Sequence, residues 1–350
     1  MKVLITGGAG FIGTNAAEFY ASRGDEVVLF DNLSRRGSEA NLSYLEKSLG
    51  DKINFIEGDI RNRWDIERAI CNNRDTDLIL HLAAQVAVTT SVNDPREDFD
   101  INALGTFNVL EAMRSLKNKC GASPIFIYAS TNKVYGGMED VGIIEKDGRY
   151  TYENLPEGIN EERGLDFHSP YGCSKGTGDQ YVRDYSRIYC LDTIVMRQSC
   201  IYGERQFGVE DQGWLAWFTI AQALGKPITV YGDGKQVRDV LWVNDLIDAY
   251  EKARQNIEKT KGQIYNLGGG HKNQLSLLES FSLLKSLSGK DIPLKYEGWR
   301  PGDQKVCFMD ISKAENDFKW KPTISPSEGM KKLYDWVNSN KSEIEKYFPN

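Results

Sequence analysis

Along its first two hundred residues, the chain alternates short runs of apolar and β-branched residues with stretches of helical periodicity. The strand-like runs lie at 2–6, 26–30, 53–59, 77–83, 124–130 and 192–197. Strands that alternate with helices form a parallel sheet that helices cover on both faces. The pattern therefore predicts an α/β fold with a doubly wound parallel sheet over residues 1–199. After residue 200 the elements become shorter and mixed, which predicts a smaller mixed α/β lobe over 200–350.

The segment GGAGFIG, residues 7–13, stands directly after the first strand and directly before a helix predicted from Phe11 to Arg23. Glycines in such a loop permit a tight turn, the approach of a pyrophosphate and close packing of the helix on the strand. The free N–H groups and the positive dipole end of the helix then face the phosphates. The loop predicts a Rossmann-type dinucleotide site.

The end of the second strand indicates which dinucleotide binds. Asp31 stands eighteen residues after Gly13, where a carboxylate accepts both hydroxyls of an adenosine ribose and repels a 2′-phosphate. Arg35 and Arg36 follow, and arginines can neutralise such a phosphate, but Asp31 favours NAD over NADP. The expected cofactor-binding residues are Gly7, Gly10, Phe11, Ile12, Gly13, Asp31, Asn32, Ser34, Arg35, Asp59, Ile60, Leu82, Ala83, Ala84, Gln85, Asn102, Ser130, Tyr171 and Lys175.

Tyr171 and Lys175 lie in YGCSK, on a helix predicted over 169–189. Their spacing is one helical turn, so both side chains share a face. A tyrosine with a pKa near 10 is a poor base, but a neighbouring ammonium and a positive nicotinamide ring lower that pKa. Thr131 ends the fifth strand, at the sheet edge where ligands bind. We expect Thr131, Tyr171 and Lys175 to remove a hydroxyl proton while hydride leaves the same carbon.

Four segments together resemble the extended short-chain dehydrogenase/reductase superfamily that acts on nucleotide sugars: GGAGFIG, YASTNKVYG (128–136), YGCSK and VRDVLWVND (237–245). More narrowly, the chain resembles the CDP-paratose 2-epimerases, also called CDP-tyvelose 2-epimerases. The segments that carry this closer resemblance are STNKVYG, LDFHSPYGCSKG (165–176), IYGERQFG (201–208), DQGW (211–214) and GKQVRDVL (234–241). The similarity runs through essentially the whole chain and ends in MKKLYDWV (330–337).

The resemblance implies a tightly held NAD and oxidation of a CDP-hexose at C2 to a transient ketone, with hydride returned to the opposite face. Tyr171 would be the base, and Thr131 would be a hydroxyl relay. Lys175 would lower the pKa of Tyr171 and hold the nicotinamide ribose. Arg238 and Arg300 match positions that bind the substrate diphosphate, for which bidentate arginine is well suited. The expected substrate-binding residues are Gln85, Thr131, Asn132, Lys133, Gln206, Gln212, Arg238 and Arg300.

The residues of the predicted site also bear on several alternative functions. A nucleotide-sugar 4,6-dehydratase carries an Asp-Glu pair directly after the threonine, and Asn132 and Lys133 cannot replace that acid and base. A UDP-hexose 4-epimerase stays open because its hydride chemistry is the same. A keto-sugar reductase would need exchangeable NADPH, which Asp31 disfavours. From a different class, a non-catalytic NAD-binding sensor would typically have lost Tyr171 or Lys175.

Composition argues against further classes of function. A net charge of −7 and a pI near 5.3 argue against a nucleic-acid partner. Six cysteines without a C-x-x-C motif and three separated histidines predict reduced, mostly buried thiols and no metal site. The apolar run at the N-terminus is about four residues long, too short for a signal peptide or membrane span, so we expect a cytoplasmic protein without membrane contact. The resemblance also implies a homodimer or homotetramer, with dimer faces on the helices around 96–119 and 169–189.

Overall fold

The computed structural model describes residues 1–300 and 303–348. The strands are β1 (Lys2–Thr6), β2 (Glu26–Asp31), β3 (Ile53–Glu57), β4 (Leu78–His81), β5 (Ile125–Thr131), β6 (Ile143–Lys146), β7 (Arg149–Tyr152), β8 (Thr193–Gln198), β9 (Cys200–Tyr202), β10 (Ile228–Tyr231), β11 (Val237–Trp242), β12 (Ile264–Leu267), β13 (Gln274–Ser276), β14 (Leu294–Glu297) and β15 (Val306–Cys307). The helices are α1 (Phe11–Ser22), α2 (Ser38–Leu49), α3 (Arg63–Asn72), α4 (Val88–Asn93), α5 (Pro95–Phe99), α6 (Gly105–Cys120), α7 (Ser169–Tyr189), α8 (Trp214–Leu224), α9 (Val243–Gln255), α10 (Ile257–Thr260), α11 (Leu277–Ser288), α12 (Ser312–Phe318), α13 (Pro326–Ser339) and α14 (Lys341–Glu345).

The main sheet has seven strands in the order β12-β8-β5-β4-β1-β2-β3, and every neighbouring pair is parallel. This confirms the predicted doubly wound parallel sheet. The strand order reverses between β1 and β4, and the loops that leave the carboxyl ends of these two strands diverge. In open parallel sheets, the crevice at such a reversal is where ligands bind.

The last strand of the main sheet comes from late in the chain. β12 pairs in parallel with β8, with Ile264 opposite Val195, and helix α9 packs against α1. The expected domain boundary between residues 199 and 200 did not include this feature, in which β12 and α9, from after residue 200, pack with the main sheet and its helices. The smaller lobe contains a four-stranded sheet formed by β9, β11, β13 and β15, and the pair β10–β14.

The helical stretch after β4 is divided into α4, α5 and α6. Asp94 caps α5 by accepting a hydrogen bond from Glu97 N at 2.9 Å, and Pro95 occupies the first helical position. A π-helical turn over Asp100–Leu104 then separates α5 from α6, where the sequence predicted one continuous helix. Such turns often occur at functional sites because they reposition side chains within a helix.

Helix α7 has the predicted bounds and lies very close to β5. A Cβ atom on Gly178 would lie 2.4 Å from the Tyr128 hydroxyl, so only glycine allows this approach. Asp179 forms a buried ion pair with Arg197 of β8, with contacts of 2.9 and 3.0 Å, and accepts a hydrogen bond from Ser130 Oγ at 2.8 Å. These contacts fix the helix relative to the strand ends.

The polar insertion between β5 and α7, residues 137–168, contains the hairpin β6–β7 and packs on the smaller lobe. Tyr152 Oη donates to the carbonyl of Val306 at 3.2 Å, and Tyr150 N donates to the carbonyl of Lys235 at 3.1 Å. A separate hydrophobic cluster joins the insertion to β15 and to the turn at 132–135. The insertion therefore attaches the end of β5 to the smaller lobe.

The prediction of mostly buried thiols is wrong. All six cysteines are free; only Cys307 is buried, while Cys120, Cys173 and Cys190 are exposed because they lie at helix ends or on the outer face of α7. Within 1–300 and 303–348, no helix is both long and apolar enough to cross a membrane. In the same ranges, no group of three or more His, Cys, Asp or Glu side chains could hold a metal ion.

Candidate active site

A long cavity opens where the strand order reverses, at the carboxyl end of the main sheet. Loops after β1, β2, β3 and β4, the end of β5, helix α7 and a segment of the smaller lobe all contribute to its wall. The expected residues that line it are Gly7, Gly10, Phe11, Ile12, Gly13, Asp31, Asn32, Ser34, Arg35, Asp59, Ile60, Leu82, Ala83, Ala84, Ser130, Tyr171, Lys175, Gln206 and Gln212. Gln85, Asn102 and the remaining expected substrate residues lie outside this wall.

The glycine loop forms the floor of the cavity. Gly7 has a φ of +70°, and a Cβ atom there would lie 2.7 Å from Ala83 N. A Cβ atom on Gly13 would lie 2.2 Å from the carbonyl oxygen of Gly7, so a side chain would push α1 away from the loop. Gly10 caps the helix without a side chain, which leaves the first N–H groups of α1 available to an anion.

The ends of β2 and β3 are joined by hydrogen bonds at the ribose end of the cavity. Asp31 is buried, which raises the pKa of its carboxyl group, and it accepts hydrogen bonds from Ala9 N at 3.0 Å and Leu33 N at 2.8 Å. Asn32 Nδ2 donates to Asp59 Oδ2 at 2.9 Å. Hydrogen bonds from neighbouring residues thus fix the orientation of each of these two carboxylates.

Residues 203–213, which we call the cover segment, close the cavity from the side of the smaller lobe. A Cβ atom on Gly37 would lie 2.3 Å from Cδ2 of Phe207, so this ring packs directly on the backbone at the start of α2. The Arg35 guanidinium donates to Gln212 Oε1. Gln206 and Gln212 were expected in the sugar and nucleotide pocket; the structure puts both in the wall of the dinucleotide cavity.

Two buried polar atoms suit a dinucleotide in this cavity. Asn41 Oδ1 and Gln206 Oε1 have no hydrogen-bond partner among the described residues, and both residues line the wall. An unsatisfied buried acceptor is costly, and amino or hydroxyl groups of a bound nucleoside would satisfy both. Together with the glycine floor, these acceptors fit NAD. Sequence reasoning missed Asn41, Arg205 and Phe207 because no local motif brings α2 and the cover segment together.

Thr131 lies beside Tyr171, and Tyr171 and Lys175, one helical turn apart on α7, both line the cavity wall. Burial raises the pKa of Tyr171 to about 12, and the Thr131 hydroxyl beside it lowers that pKa with a smaller effect. Burial also lowers the pKa of Lys175 to about 7. Lys175 Nζ lies 4.3 Å from the centre of the Tyr128 ring. The expected lowering of the tyrosine pKa is therefore absent from the protein alone, because desolvation of the ring dominates.

Gln85 and Asn102 support the cavity from behind. Gln85 N donates to Asn102 Oδ1 and Asn102 Nδ2 donates to the carbonyl of Gln85, both at 3.0 Å. This reciprocal pair fixes the backbone that follows the lining residues 82–84. His81 is fully buried, and its ring nitrogen Nδ1 lies 2.7 Å from Thr6 Oγ1.

A second group of expected residues lies where β5 meets the smaller lobe. Asn132 Nδ2 contacts Cys307 Sγ at 3.0 Å, and Lys133 Nζ donates to Gln304 Oε1 at 3.0 Å. Burial lowers the pKa of Lys133, and the charge of Arg238 lowers it further. Within the described residues, neither cation has a carboxylate within ion-pair distance, so the cluster suits an anion.

Arg300, by contrast, is already paired. Its guanidinium lies 3.1 Å from Asp211 Oδ1 in the cover segment and stacks 3.6 Å from the centre of the Tyr231 ring. An incoming diphosphate would have to compete with Asp211 for this side chain.

Comparison with known proteins identifies relatives along the full length of the chain. The GDP-mannose 4,6 dehydratase family matches residues 4–333. A CDP-paratose 2-epimerase from Salmonella typhi is 47% identical over 97% of this chain and 100% of the relative. The structure of a UDP-glucuronic acid 4-epimerase from Bacillus cereus, solved with UDP-glucuronic acid and NAD, covers 97% of this chain and 99% of its own with 30% identity and a TM-score of 0.81.

A dTDP-glucose 4,6-dehydratase from Streptomyces venezuelae, solved with NAD, is also similar, with 27% identity, a TM-score of 0.82 and coverage of 99% of this chain and 100% of its own. Epimerases and dehydratases thus share this fold and this order of elements. With a family match over residues 4–333 and full-length identity of 47% to one member, the chain belongs to the GDP-mannose 4,6 dehydratase family of nucleotide-sugar epimerases and dehydratases.

Proposed function

We propose that this protein is an NAD-dependent epimerase that inverts C2 of a CDP-hexose, converting CDP-paratose to CDP-tyvelose through a transient 2-keto sugar. The observation that carries the proposal is the contact of Thr131 with Tyr171, one turn from Lys175, at the end of a cavity that fits a dinucleotide. The 47% identity to a CDP-paratose 2-epimerase over 97% of the chain supports the choice of substrate.

NAD, when bound, supplies a reversible hydride acceptor for the sugar carbon. Tyr171 takes the proton of the sugar hydroxyl and later returns it, with Thr131 sharing that proton. Its pKa of about 12 in the buried site must fall for this role, and nearby positive charge favours the phenolate. Lys175 supplies such charge when it is an ammonium. The cofactor ends as it began, so no net NADH should accumulate.

The residues after Thr131 support an epimerase over a dehydratase. Elimination of water needs a carboxylic acid and a carboxylate, and the chain has Asn132 and Lys133 there instead. Asn132 is held by Cys307 and Lys133 by Gln304, so neither amide nor amine contacts a carboxylate that could act in its place.

We further propose that the cations of the smaller lobe bind the substrate diphosphate. Lys133 and Arg238 lie close enough for the charge of Arg238 to lower the pKa of Lys133, and like charges without carboxylate partners are stabilised by a bound anion. Arg300 would join them by exchanging Asp211 for a phosphate oxygen. Gln206 and Gln212 line the same cavity and stay among the residues proposed to contact the substrate.

The proposal also covers the oligomeric state of the protein and its cellular location. Phe107 and Tyr181 form an exposed edge-to-face pair between α6 and α7, and Ile188 nearby is 63% exposed. Exposed aromatic and aliphatic side chains on adjoining helices mark protein interfaces, which supports a homodimer through these helices. A homotetramer would need a second interface elsewhere on the surface. A CDP-sugar and NAD as ligands support a cytoplasmic location.

The test is NMR of CDP-paratose, CDP-glucose and UDP-glucose, each incubated with the protein in D₂O buffer. We expect inversion at C2 of a CDP-hexose without deuterium at that carbon, because the hydride returns internally. Inversion at C4 of the UDP-sugar would instead establish the 4-epimerase alternative. A protein inert on all three sugars would refute the proposal.

A further inference from the structure

One buried carboxylate beside the catalytic pair has no role in the mechanism above. Asp98, in the last turn of α5, has a relative exposure of 1%. Its Oδ1 accepts hydrogen bonds from Gln85 Nε2 at 2.9 Å and Asn102 Nδ2 at 3.1 Å, and its Oδ2 accepts from Ser174 Oγ at 2.5 Å. All three donors are neutral. A buried charge without a counter-ion is costly, so its retention calls for a partner.

Ser174 Oγ, on the residue directly before Lys175, donates to Asp98 Oδ2 at 2.5 Å and so brings this carboxylate near the Lys175 ammonium. Two carboxylates act on this ammonium, Asp98 from α5 and Asp179 from the next turn of α7. Asp179 is already bound by Arg197 through two contacts, at 2.9 and 3.0 Å, so its charge is balanced. Among the described residues, Asp98 has no such ion pair. Burial raises the pKa of its carboxyl group, and the nearby charge of Lys175 acts against that rise and favours the carboxylate.

The other groups that face the catalytic pair carry no charge at neutral pH. From β5, the Tyr128 ring lies under Lys175 Nζ and Thr131 contacts Tyr171. From β4, His81 is fully buried, and burial lowers its pKa to about 3, so it is neutral. Asp98 is therefore the unbalanced negative charge at this end of the site.

We propose that Asp98 is a positioning residue for the reaction: it keeps Lys175 in its ammonium form and ties the catalytic helix to the wall of the cofactor cavity. The tie runs through Ser174, whose Oγ also lies 3.2 Å from the carbonyl of Tyr171. On the other side it runs through Gln85, which directly follows the lining residues 82–84. The kinetic part of this inference rests on the proposed function.

Removal of the carboxylate has a defined effect on both titrating groups. A nearby negative charge favours an ammonium and disfavours a phenolate, so its loss lowers the pKa of Lys175 and that of Tyr171 together. Activity needs Tyr171 ionised and Lys175 protonated, which gives a bell-shaped dependence of kcat/KM on pH. Both limbs of that curve should move to lower pH by about one unit.

The experiment measures kcat/KM of the NAD-loaded protein for CDP-paratose across pH, for Asp98→Asn and two controls. Ser174→Ala removes a hydrogen bond but keeps the charge, so it should change the height of the curve and leave both limbs in place. Asp100→Asn removes a carboxylate that pairs with exposed Arg96 and should also leave the limbs in place. Limbs at the wild-type pH in Asp98→Asn would overturn the counter-ion role.

A second readout needs no substrate. The ultraviolet absorbance of tyrosinate, taken as the difference between each NAD-loaded protein and the same protein with Tyr171→Phe, reports the titration of Tyr171. We expect its midpoint to fall by about one unit in Asp98→Asn. A shifted midpoint without turnover of any CDP-hexose would refute the proposed function and keep the role of Asp98. Normal turnover with an unshifted midpoint would refute the role of Asp98 alone.

Folding of the variant is checked by circular dichroism. If Asp98→Asn does not fold, Asp98→Ser carries the same expectation because it also removes the charge and is smaller. Loss of folding in both variants, with Ser174→Ala intact, would overturn the inference and make Asp98 a residue of structural stability only.

Discussion

Substitution of Gly37 by alanine should weaken NAD binding, because this glycine lies directly under the cover segment. Its φ is +83°, and a Cβ atom there would lie 2.3 Å from Phe207 Cδ2 and 2.4 Å from Cγ. The Phe207 ring is held from its other sides by Tyr347 and Trp336, at centroid distances of 5.1 and 5.9 Å. The ring cannot yield without moving the cover segment off the cavity.

The magnitude follows from two separable costs. An alanine at such a φ costs about 1–2 kcal/mol for the left-handed backbone alone. Forcing extra volume into packed surroundings adds about 1–3 kcal/mol. Gly24 is a matched control, since its φ is +86° and nothing lies within 4 Å of its Cβ position. Gly24→Ala should therefore show the first cost without the second.

We expect Gly24→Ala to keep wild-type affinity for NAD and Gly37→Ala to bind it about ten- to a hundred-fold more weakly, because each 1.4 kcal/mol is a factor of ten. Urea unfolding gives the difference in stability between the two variants, and equilibrium dialysis of NAD gives the Kd. Equal and undiminished affinity in both variants would refute the view that the cover segment retains the cofactor.

Three further outcomes test the site. Tyr171→Phe should keep NAD but lower kcat by about 10²- to 10⁴-fold, because it removes the proton acceptor and little binding surface; steady-state rates that match wild type would contradict this. Asp179→Asn should lower the free energy of unfolding by about 3–5 kcal/mol, since buried Arg197 would lose its partner; a loss as small as that of an exposed pair, below about 1 kcal/mol, would argue against it. The pKa of Lys175 is about 7 in the fold against 10.5 unfolded, so the unfolded state binds more protons between these values and stability should rise with pH there; Lys175→Met should flatten that rise in urea titrations.

Local sequence patterns were sufficient to predict α7 and the glycine loop. The helix over 169–189 was predicted with the bounds that α7 has, and the glycine loop followed from its place between strand and helix. The π-helical turn at 100–104 was not predicted, because the sequence from Pro95 to Lys119 has no break in its helical pattern. Asp98 lies before this turn and Asn102 within it, and both make buried hydrogen bonds to other elements, which no local pattern reveals.

Long-range features were beyond sequence reasoning. Residues 264–267 form a strand of only four residues, and nothing local assigns it to the main sheet; its pairing with β8 does so. The contact of Arg35 with Gln212 joins positions 177 residues apart, and no local pattern reveals it. The raised pKa of Tyr171 depends on burial by several elements, whereas the motif alone suggested the opposite direction.

The return of the chain to the main sheet has a consequence for cooperativity. β12 and α9 pack with the main sheet and its helices. In the chain, however, they lie between the smaller-lobe strands β11 and β13. A fragment that ended at residue 199 would leave one edge of β8 without its neighbour and uncover the face of α1 on which α9 packs. The two lobes should therefore unfold in a single transition, and a protease that cuts between them would destabilise both.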